Sequence, residues 1–453
     1  MQQRMQILIY NPTKMQYKNF SAVKNYKDFL MGGHILLIQT LGNFFSATVR
    51  LHFEPLREIM PAYNIDIMAC INRSVYILDV DRVLLISHLN VDESSYLLGV
   101  VIKGHGIGEF EGKKIFTFAA ASISNALQDS FKSKFRGSVI FFNENLITRI
   151  VSKYVSAGTY NSYKIYYYIQ KFNALRTTTF EGKNFSTGLI VTKSLHNYKE
   201  QREKNDAVGT LLKLRSPQNI YEDINTRFWY LIDGHSAFYL SNLKGTIPYI
   251  YEYKDQMAYD IHRFSSSGAI MGRDIMLRTE SGRELSIITS KGIEFIYQEN
   301  TWRYRDYKWL EKQIDKFIHL HDGLFDAIMH YILYCSKNDI SSILWIPSSS
   351  DVKDIDKYVS NKHSHFYSSI KIQDPESEGI FKRFLSSDGA TTINSEGKLL
   401  YYGCIANLTT EQSNNPKGTG ETAASILAKN GIAFKVSQDG TVKIFLGSNY
   451  IKF

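Results

Sequence analysis

The Asp388 loop, Asp388-Gly389-Ala390, combines residue types that suit binding of a phosphorylated small molecule. Carboxylate oxygens are the ligands that Mg²⁺ and similar divalent cations prefer, so Asp388 is the candidate metal ligand. Gly389 and Ala390 allow a base or ribose to approach the backbone closely, because they carry little or no side chain. These three residues are therefore a candidate ligand site if a second loop lies beside them.

The Gly418 loop, Gly418-Thr419-Gly420-Glu421-Thr422, is the second candidate. A helix N-terminus presents free backbone N–H groups to anions, and Thr419, Gly420 and Thr422 would hold phosphate oxygens through N–H groups and hydroxyls. Glu421 would either bind a metal or point away. If the two loops do not meet, the first is only a turn and the second only a helix cap.

The elements around the loops are predicted from local patterns. Residues 391–393 and 399–405 are short β-prone runs, and the turn between them has hairpin chemistry. Residues 420–430 have an alanine-rich helical pattern that ends at Asn430-Gly431, with Thr419 predicted as the N-cap. Two more strands, 433–437 and 441–446, complete a mixed sheet flanked by helices.

This order of motifs resembles the diadenylate cyclase domain family. The Asp388 loop matches the first family motif, and Gly418, Thr419, Ala423 and Ala424 match the flanks of the second. The resemblance covers about the last quarter of the chain. It implies a nucleotide site for ATP or a cyclic dinucleotide, with Mg²⁺ or Mn²⁺ as cofactor, and a homo-oligomer in which two domains meet face to face.

The centre of the second motif departs from the family. Family members have Arg-His-Arg where this chain has Gly420-Glu421-Thr422. Arginine binds phosphate bidentately and neutralises its charge, and phosphoryl transfer depends on that neutralisation. We therefore expect a divergent sensor-type relative that binds nucleotides without making cyclic di-AMP. An active diadenylate cyclase or another nucleotidyltransferase is the alternative, and whether the chain is an enzyme stays open.

Composition adds a few constraints. The chain has 453 residues, a formal net charge of +9 and three cysteines. No dense Lys/Arg block accompanies the charge, so a lysine-rich surface is favoured over nucleic-acid binding, which is a third and weaker alternative. The separated cysteines, together with a start that lacks the arrangement of a signal peptide and the absence of a long apolar run, predict a cytoplasmic protein that does not enter a membrane.

The predicted fold class is α/β (α+β) with three segments. Residues 1–165 form an N-terminal α/β domain of unknown role, 166–300 a β-rich middle segment, and 301–453 the diadenylate-cyclase-like nucleotide-binding domain. Within the first two segments, Lys113–Phe118 and Phe228–Ile232 are predicted as strands.

Overall fold

The computed structural model describes most of the chain and shows an α+β protein with more than one domain. The described residues are 16–23, 32–53, 73–91, 94–132, 144–157, 160–204, 209–253, 270, 272–280, 284–349, 351–364, 370–407 and 418–453. Within these ranges, none of the helices is both long and apolar enough to cross a membrane.

The chain divides into two compact units. One comprises Met1–Ala157 with Asn300–Trp302, and the other comprises Gly158–Glu299 with Arg303–Phe453. The second unit contains nearly all of the predicted segments 166–300 and 301–453. These segments build separate sheets, except that Thr301–Asp306 joins the sheet of the middle segment.

The described residues of the first unit form a five-stranded sheet and three longer helices. Its elements are β1 (Gln16–Asn19), α1 (His34–Phe45), β2 (Thr48–His52), β3 (Val75–Asp79), β4 (Arg82–Val91), β5 (Ser94–Lys103), α2 (Lys114–Lys132) and α3 (Glu144–Ser156). The sheet order is β1-β5-β4-β3, with β2 also paired to β5. The strand predicted at Lys113–Phe118 is wrong: this segment is the first turn of α2, whose apolar face packs on β4.

The middle segment builds an eight-stranded sheet. Its elements are α4 (Ser162–Arg176), β6 (Thr179–Phe180), β7 (Lys183–Asn184), β8 (Thr187–Thr192), α5 (Leu195–Lys204), β9 (Gly209–Asn219), α6 (Thr226–Tyr230), β10 (Ala237–Asn242), β11 (Thr246–Tyr253), β12 (Ile275–Glu280), β13 (Glu284–Thr289), β14 (Ile293–Gln298) and β15 (Thr301–Asp306). The order is β15-β14-β13-β12-β8-β10-β11-β9. The strand predicted at Phe228–Ile232 is instead helix α6, capped by the Asn225 side chain.

The C-terminal segment forms the mixed sheet that carries the two candidate loops. Its elements are α7 (Tyr307–Asp315), α8 (Leu324–Lys337), β16 (Ser342–Pro347), α9 (Val352–Ile355), β17 (Val359–Ser360), α10 (Glu378–Ser386), β18 (Ala390–Ile393), β19 (Leu399–Ala406), α11 (Thr419–Leu427), β20 (Gly431–Val436), β21 (Val442–Leu446) and β22 (Asn449–Lys452). The order is β17-β19-β18-β16-β20-β21-β22, and β16 runs parallel to β18 but antiparallel to β20. The prediction of a mixed sheet flanked by helices is confirmed.

Helix α11 packs on one face of this mixed sheet. Ala424 and Leu427 of the helix are buried against Ile343 and Trp345 of β16. Helix α10 contacts β16 and β18, and its Phe384 carbonyl accepts a hydrogen bond from the buried Thr391 hydroxyl at 3.0 Å. This packing fixes the ends of α10 and α11, which carry the Asp388 and Gly418 loops.

Candidate functional site

The Asp388 loop and most of the Gly418 loop line one cavity of about 760 Å³. Volumes of this order are typical of small-molecule sites. Seven of the eight predicted site residues lie on its wall, and Thr422 does not. The lining residues are Ser341, Ser342, Ile343, Ser386, Ser387, Asp388, Gly389, Ala390, Cys404, Ile405, Ala406, Gly418, Thr419, Gly420, Glu421, Ala423, Leu427, Lys435, Ser437 and Gln438.

Strand register explains why the two loops meet. Ile343 at the centre of the sheet is paired with Ala390 on one side and with Lys435 on the other. Because neighbouring strands lie about 4.8 Å apart, the backbones at Ala390 and Lys435 are separated by about 10 Å. The lining residues that lie in strands come from four neighbouring strands, β19, β18, β16 and β20, with the Asp388 loop on one side of β16 and Lys435, beneath the start of α11, on the other.

The Asp388 loop depends on a glycine in the left-handed region. Gly389 has φ of +88°, and an added Cβ would lie 2.7 Å from the carbonyl carbon of Gly403 and 2.8 Å from the carbonyl oxygen of Cys404. Its N–H donates to Oδ1 of Asp388 at 2.9 Å. Asp388 is exposed and Ala390 is buried, so the loop presents a carboxylate to the cavity above a closely packed backbone.

The Gly418 loop differs in one detail from its prediction. Gly418, not Thr419, is the N-cap of α11, and no side chain caps the helix. The Gly418 carbonyl accepts the N–H groups of Glu421 and Thr422, at 3.0 and 3.1 Å. The Thr422 hydroxyl donates to the same carbonyl at 3.3 Å, which turns it into the helix and away from the cavity. The N–H groups of Thr419 and Gly420 are the donors that α11 leaves for a ligand.

Glu421 does not add an unbalanced negative charge to the site. Its Oε2 lies 2.7 Å from Nζ of Lys443, and the two side chains are 22% and 21% exposed. The Lys443 ammonium also lies over the Tyr450 ring, 5.5 Å from its centroid. The two charges of this pair offset each other at the edge of the cavity.

Lys435 is the site residue that sequence reasoning missed. It is only 7% exposed, lines the cavity, and its Nζ donates to Oγ of Ser341 at 2.7 Å. Burial lowers the pKa of its ammonium below the usual 10.5. The available signal was a single lysine within the apolar strand Ile432-Ala433-Phe434-Lys435-Val436, where a buried charge requires a reason.

A divalent cation would have one protein carboxylate here. Among the described residues, no group of three or more His, Cys, Asp or Glu side chains gathers in metal-binding geometry. Mg²⁺ is commonly bound through one or two carboxylates together with substrate phosphates. Asp388 fits that mode, in which the ligand supplies most of the oxygens.

No protein-family model and no curated protein matches the chain. Among solved structures, a hypothetical membrane spanning protein from Bacillus cereus matches with 13% identity and a TM-score of 0.26, over 32% of this chain and 71% of that one. A double mutant of DacA from Staphylococcus aureus matches with 14% identity and a TM-score of 0.20, over 29% of this chain and 86% of that one. At these TM-scores neither match bears on the fold or function of this chain.

Proposed function

We propose that the C-terminal mixed sheet binds a nucleotide or cyclic dinucleotide and that the protein acts as a sensor of that ligand. The observation that carries the proposal is the convergence of the Asp388 and Gly418 loops, which are remote in sequence, on one cavity of about 760 Å³. Either loop alone would have an ordinary structural role as a turn or a helix start.

The two ends of the cavity suit the two parts of such a ligand. At one end, the free N–H groups of Thr419 and Gly420 and the ammonium of Lys435 favour phosphate. At the other end, the close-packed backbone at Gly389 and the carboxylate of Asp388 suit a base or ribose, or a metal bound to phosphate.

Sensing is favoured over synthesis because little positive charge faces the cavity. Cyclic di-AMP synthesis would require neutralisation of two triphosphates in the transition state. Where the family has Arg-His-Arg, this chain has Gly420-Glu421-Thr422, and the nearby Lys443 is already paired with Glu421. Lys435 is the only lysine or arginine among the described lining residues.

The test is nucleotide binding by the full-length protein, measured by isothermal titration calorimetry and by thermal shift. ATP and cyclic di-AMP are titrated with Mg²⁺, with Mn²⁺ and in EDTA. We expect at least one of them to bind and to raise the melting temperature. Asp388→Asn should weaken metal-dependent binding by about tenfold, or 1.4 kcal/mol. The control Asp374→Asn changes an exposed carboxylate outside the cavity lining and should leave binding unchanged.

Two outcomes would overturn the proposal. Absence of binding by every nucleotide tested would leave the loops with only structural roles. Accumulation of cyclic di-AMP from ATP with Mn²⁺, lost in Asp388→Asn, would make the protein a cyclase and not a sensor.

We place this sensing in the cytoplasm. Cys335 and Cys404 are buried free thiols, and persistent thiols are typical of a reducing compartment. Cys70 lies outside the described residues.

A further inference from the structure

The Lys435 ammonium has no counter-charge of its own among the described residues. Strand alternation directs its side chain to the same sheet face as Ala433, beneath α11. Its single hydrogen-bond partner in the described chain is the neutral hydroxyl of Ser341, and no described carboxylate lies within ion-pair distance of Nζ. A buried ammonium of this kind costs free energy unless an anion compensates it.

The space around this ammonium is held open by Gly420. A Cβ at this position would lie 2.9 Å from Cε and 3.1 Å from Nζ of Lys435. The ammonium therefore lies directly beside the first turn of α11, where the N–H groups of Thr419 and Gly420 have no backbone acceptor in the described chain. An anion in the cavity next to Lys435 would contact donors from both the strand and the helix.

The charges on the described cavity wall limit the charge of that anion. Glu421 is neutralised by Lys443, which leaves the Lys435 ammonium and the Asp388 carboxylate as the two remaining charges among the described lining residues, on opposite sides of β16. One ammonium can balance one phosphate charge, whereas the several charges of a triphosphate would remain largely uncompensated in the absence of metal.

We propose that Lys435 is the anion-binding residue of the cavity and that it selects a phosphodiester nucleotide, which carries one negative charge per phosphate, over a nucleoside triphosphate. This inference rests on the proposed nucleotide site and specifies the charge class of its ligand. Free inorganic phosphate shares part of this chemistry and is distinguished by the test.

The experiment is calorimetric titration in EDTA with cyclic di-AMP, cyclic AMP, ATP and inorganic phosphate. At least one phosphodiester should bind at least about tenfold more tightly than ATP or phosphate. Lys435→Met should weaken phosphodiester binding by about 10- to 100-fold, the range for a hydrogen bond to a charged group. Lys452→Met is the matched control: it removes the same charge from an exposed position on β22 of the same sheet, and less than about threefold change is expected.

A second variant keeps the charge but moves it. Gly420→Ala places a methyl group against Cε of Lys435, so the flexible ammonium must shift. We expect weaker phosphodiester binding with the same net charge and with a melting temperature no lower than that of the unchanged protein, since alanine favours a helix over glycine. This variant keeps the test decisive if Lys435→Met does not fold.

The outcomes separate this inference from the proposed function. If nucleotides bind but Lys435→Met and Lys452→Met behave alike, Lys435 is not the anion-binding residue, although the nucleotide site stands. If ATP binds more tightly than both phosphodiesters in EDTA, the charge selection is wrong. If inorganic phosphate binds as tightly as either phosphodiester, the cavity is a simple anion site. If no nucleotide binds, both proposals fail.

Discussion

Two buried basic side chains in the second unit have opposite surroundings. Arg305 is 6% exposed, and its Nη1 lies 3.7 Å from Oε2 of the fully buried Glu294. Glu294 also accepts hydrogen bonds from Tyr307, at 2.7 Å, and from Ser286. The Arg305 guanidinium stacks 5.1 Å from the centroid of the Phe453 ring. Lys435 is 7% exposed, and its ammonium has one hydroxyl partner and faces an open cavity.

The difference separates a structural cation from one that is available to a ligand. Burial alone would lower the pKa of Arg305, but Tyr307 and Glu294 beside it raise the pKa above its usual value. At Lys435, burial disfavours the charged form and lowers the pKa of the ammonium below its usual value. A buried charge that the fold compensates becomes costly when its partner is removed, whereas one without compensation is a cost that a bound anion can offset.

The largest expected effect comes from removing the carboxylate that pairs with Arg305. Glu294→Gln removes the carboxylate nearest to the buried Arg305 guanidinium, so the free energy of unfolding should fall by about 3–5 kcal/mol. Urea denaturation followed by tryptophan fluorescence measures this change. Glu376→Gln removes a charge from an exposed position and should stay within about 0.5 kcal/mol. Equal effects of the two substitutions would show that Glu294 does not compensate the Arg305 charge.

The next effect tests whether the cavity wall is as closely built as the network around Arg305. Gly389→Ala should cost about 1–3 kcal/mol, because its φ of +88° strains any L side chain and its Cβ meets the backbone of Gly403 and Cys404. Gly379→Ala on α10 is the control. No atom lies within 4 Å of its added Cβ, so this substitution should stabilise the protein by roughly 0.5–1 kcal/mol. Thermal and urea unfolding measure both changes. An unchanged stability of Gly389→Ala would contradict the prediction.

A smaller effect of opposite sign is expected at Lys435. Lys435→Met removes a buried charge and keeps a flexible chain of similar length, so it should raise the free energy of unfolding by about 0.5–2 kcal/mol in the absence of ligand. The measurement is urea denaturation of the unliganded protein. Loss of stability in this variant would mean that Lys435 is compensated in the fold, like Arg305.

The same comparison predicts a pH dependence. Because the folded-state pKa of Lys435 lies below 10.5, its unfolded value, the unfolded chain binds the proton more tightly. The cost of burying the charged form is therefore present in full below the folded pKa and is relieved as pH rises toward 10.5. The stability advantage of Lys435→Met should shrink over that range in melting curves recorded at increasing pH. If the stability difference between Lys435→Met and the unchanged protein did not vary with pH, the charged ammonium would not be the source of the destabilisation.

The smallest expected effect concerns the Glu421–Lys443 pair. Glu421→Gln breaks a partly exposed ion pair and should cost about 0.2–1 kcal/mol of stability. It also frees the Lys443 ammonium beside the cavity, so affinity for a phosphodiester should rise by a few-fold, since an exposed charge contributes about 1 kcal/mol or less. Calorimetry at low salt measures this gain, and a fall in affinity would assign Glu421 to the ligand.

Local patterns alone predicted the hairpin, one helix and two further strands of the C-terminal sheet, but not β17 or β22. The hairpin of β18 and β19, the helix that begins at Thr419, and the strands β20 and β21 all lie close to their predicted bounds. Turn chemistry, helical periodicity and short apolar runs are properties of neighbouring residues, so one sequence is enough to read them. The same reasoning failed at the first turn of α2 and at α6, because short apolar runs fit either a helix or a strand until their packing partners are known.

The sequence by itself therefore determined the α+β class, most elements around the candidate site and the two loops with residue types suited to a phosphorylated ligand. Only the tertiary structure decided that the loops share a cavity, that Thr422 turns away from it, and that Glu421 is paired with Lys443. It also decided that Lys435 is a buried cation with no counter-charge among the residues that the structure describes. The physical reason is that these facts depend on strand register and on charges brought together from distant parts of the chain. A side chain's own neighbours in sequence do not specify which charge it will meet.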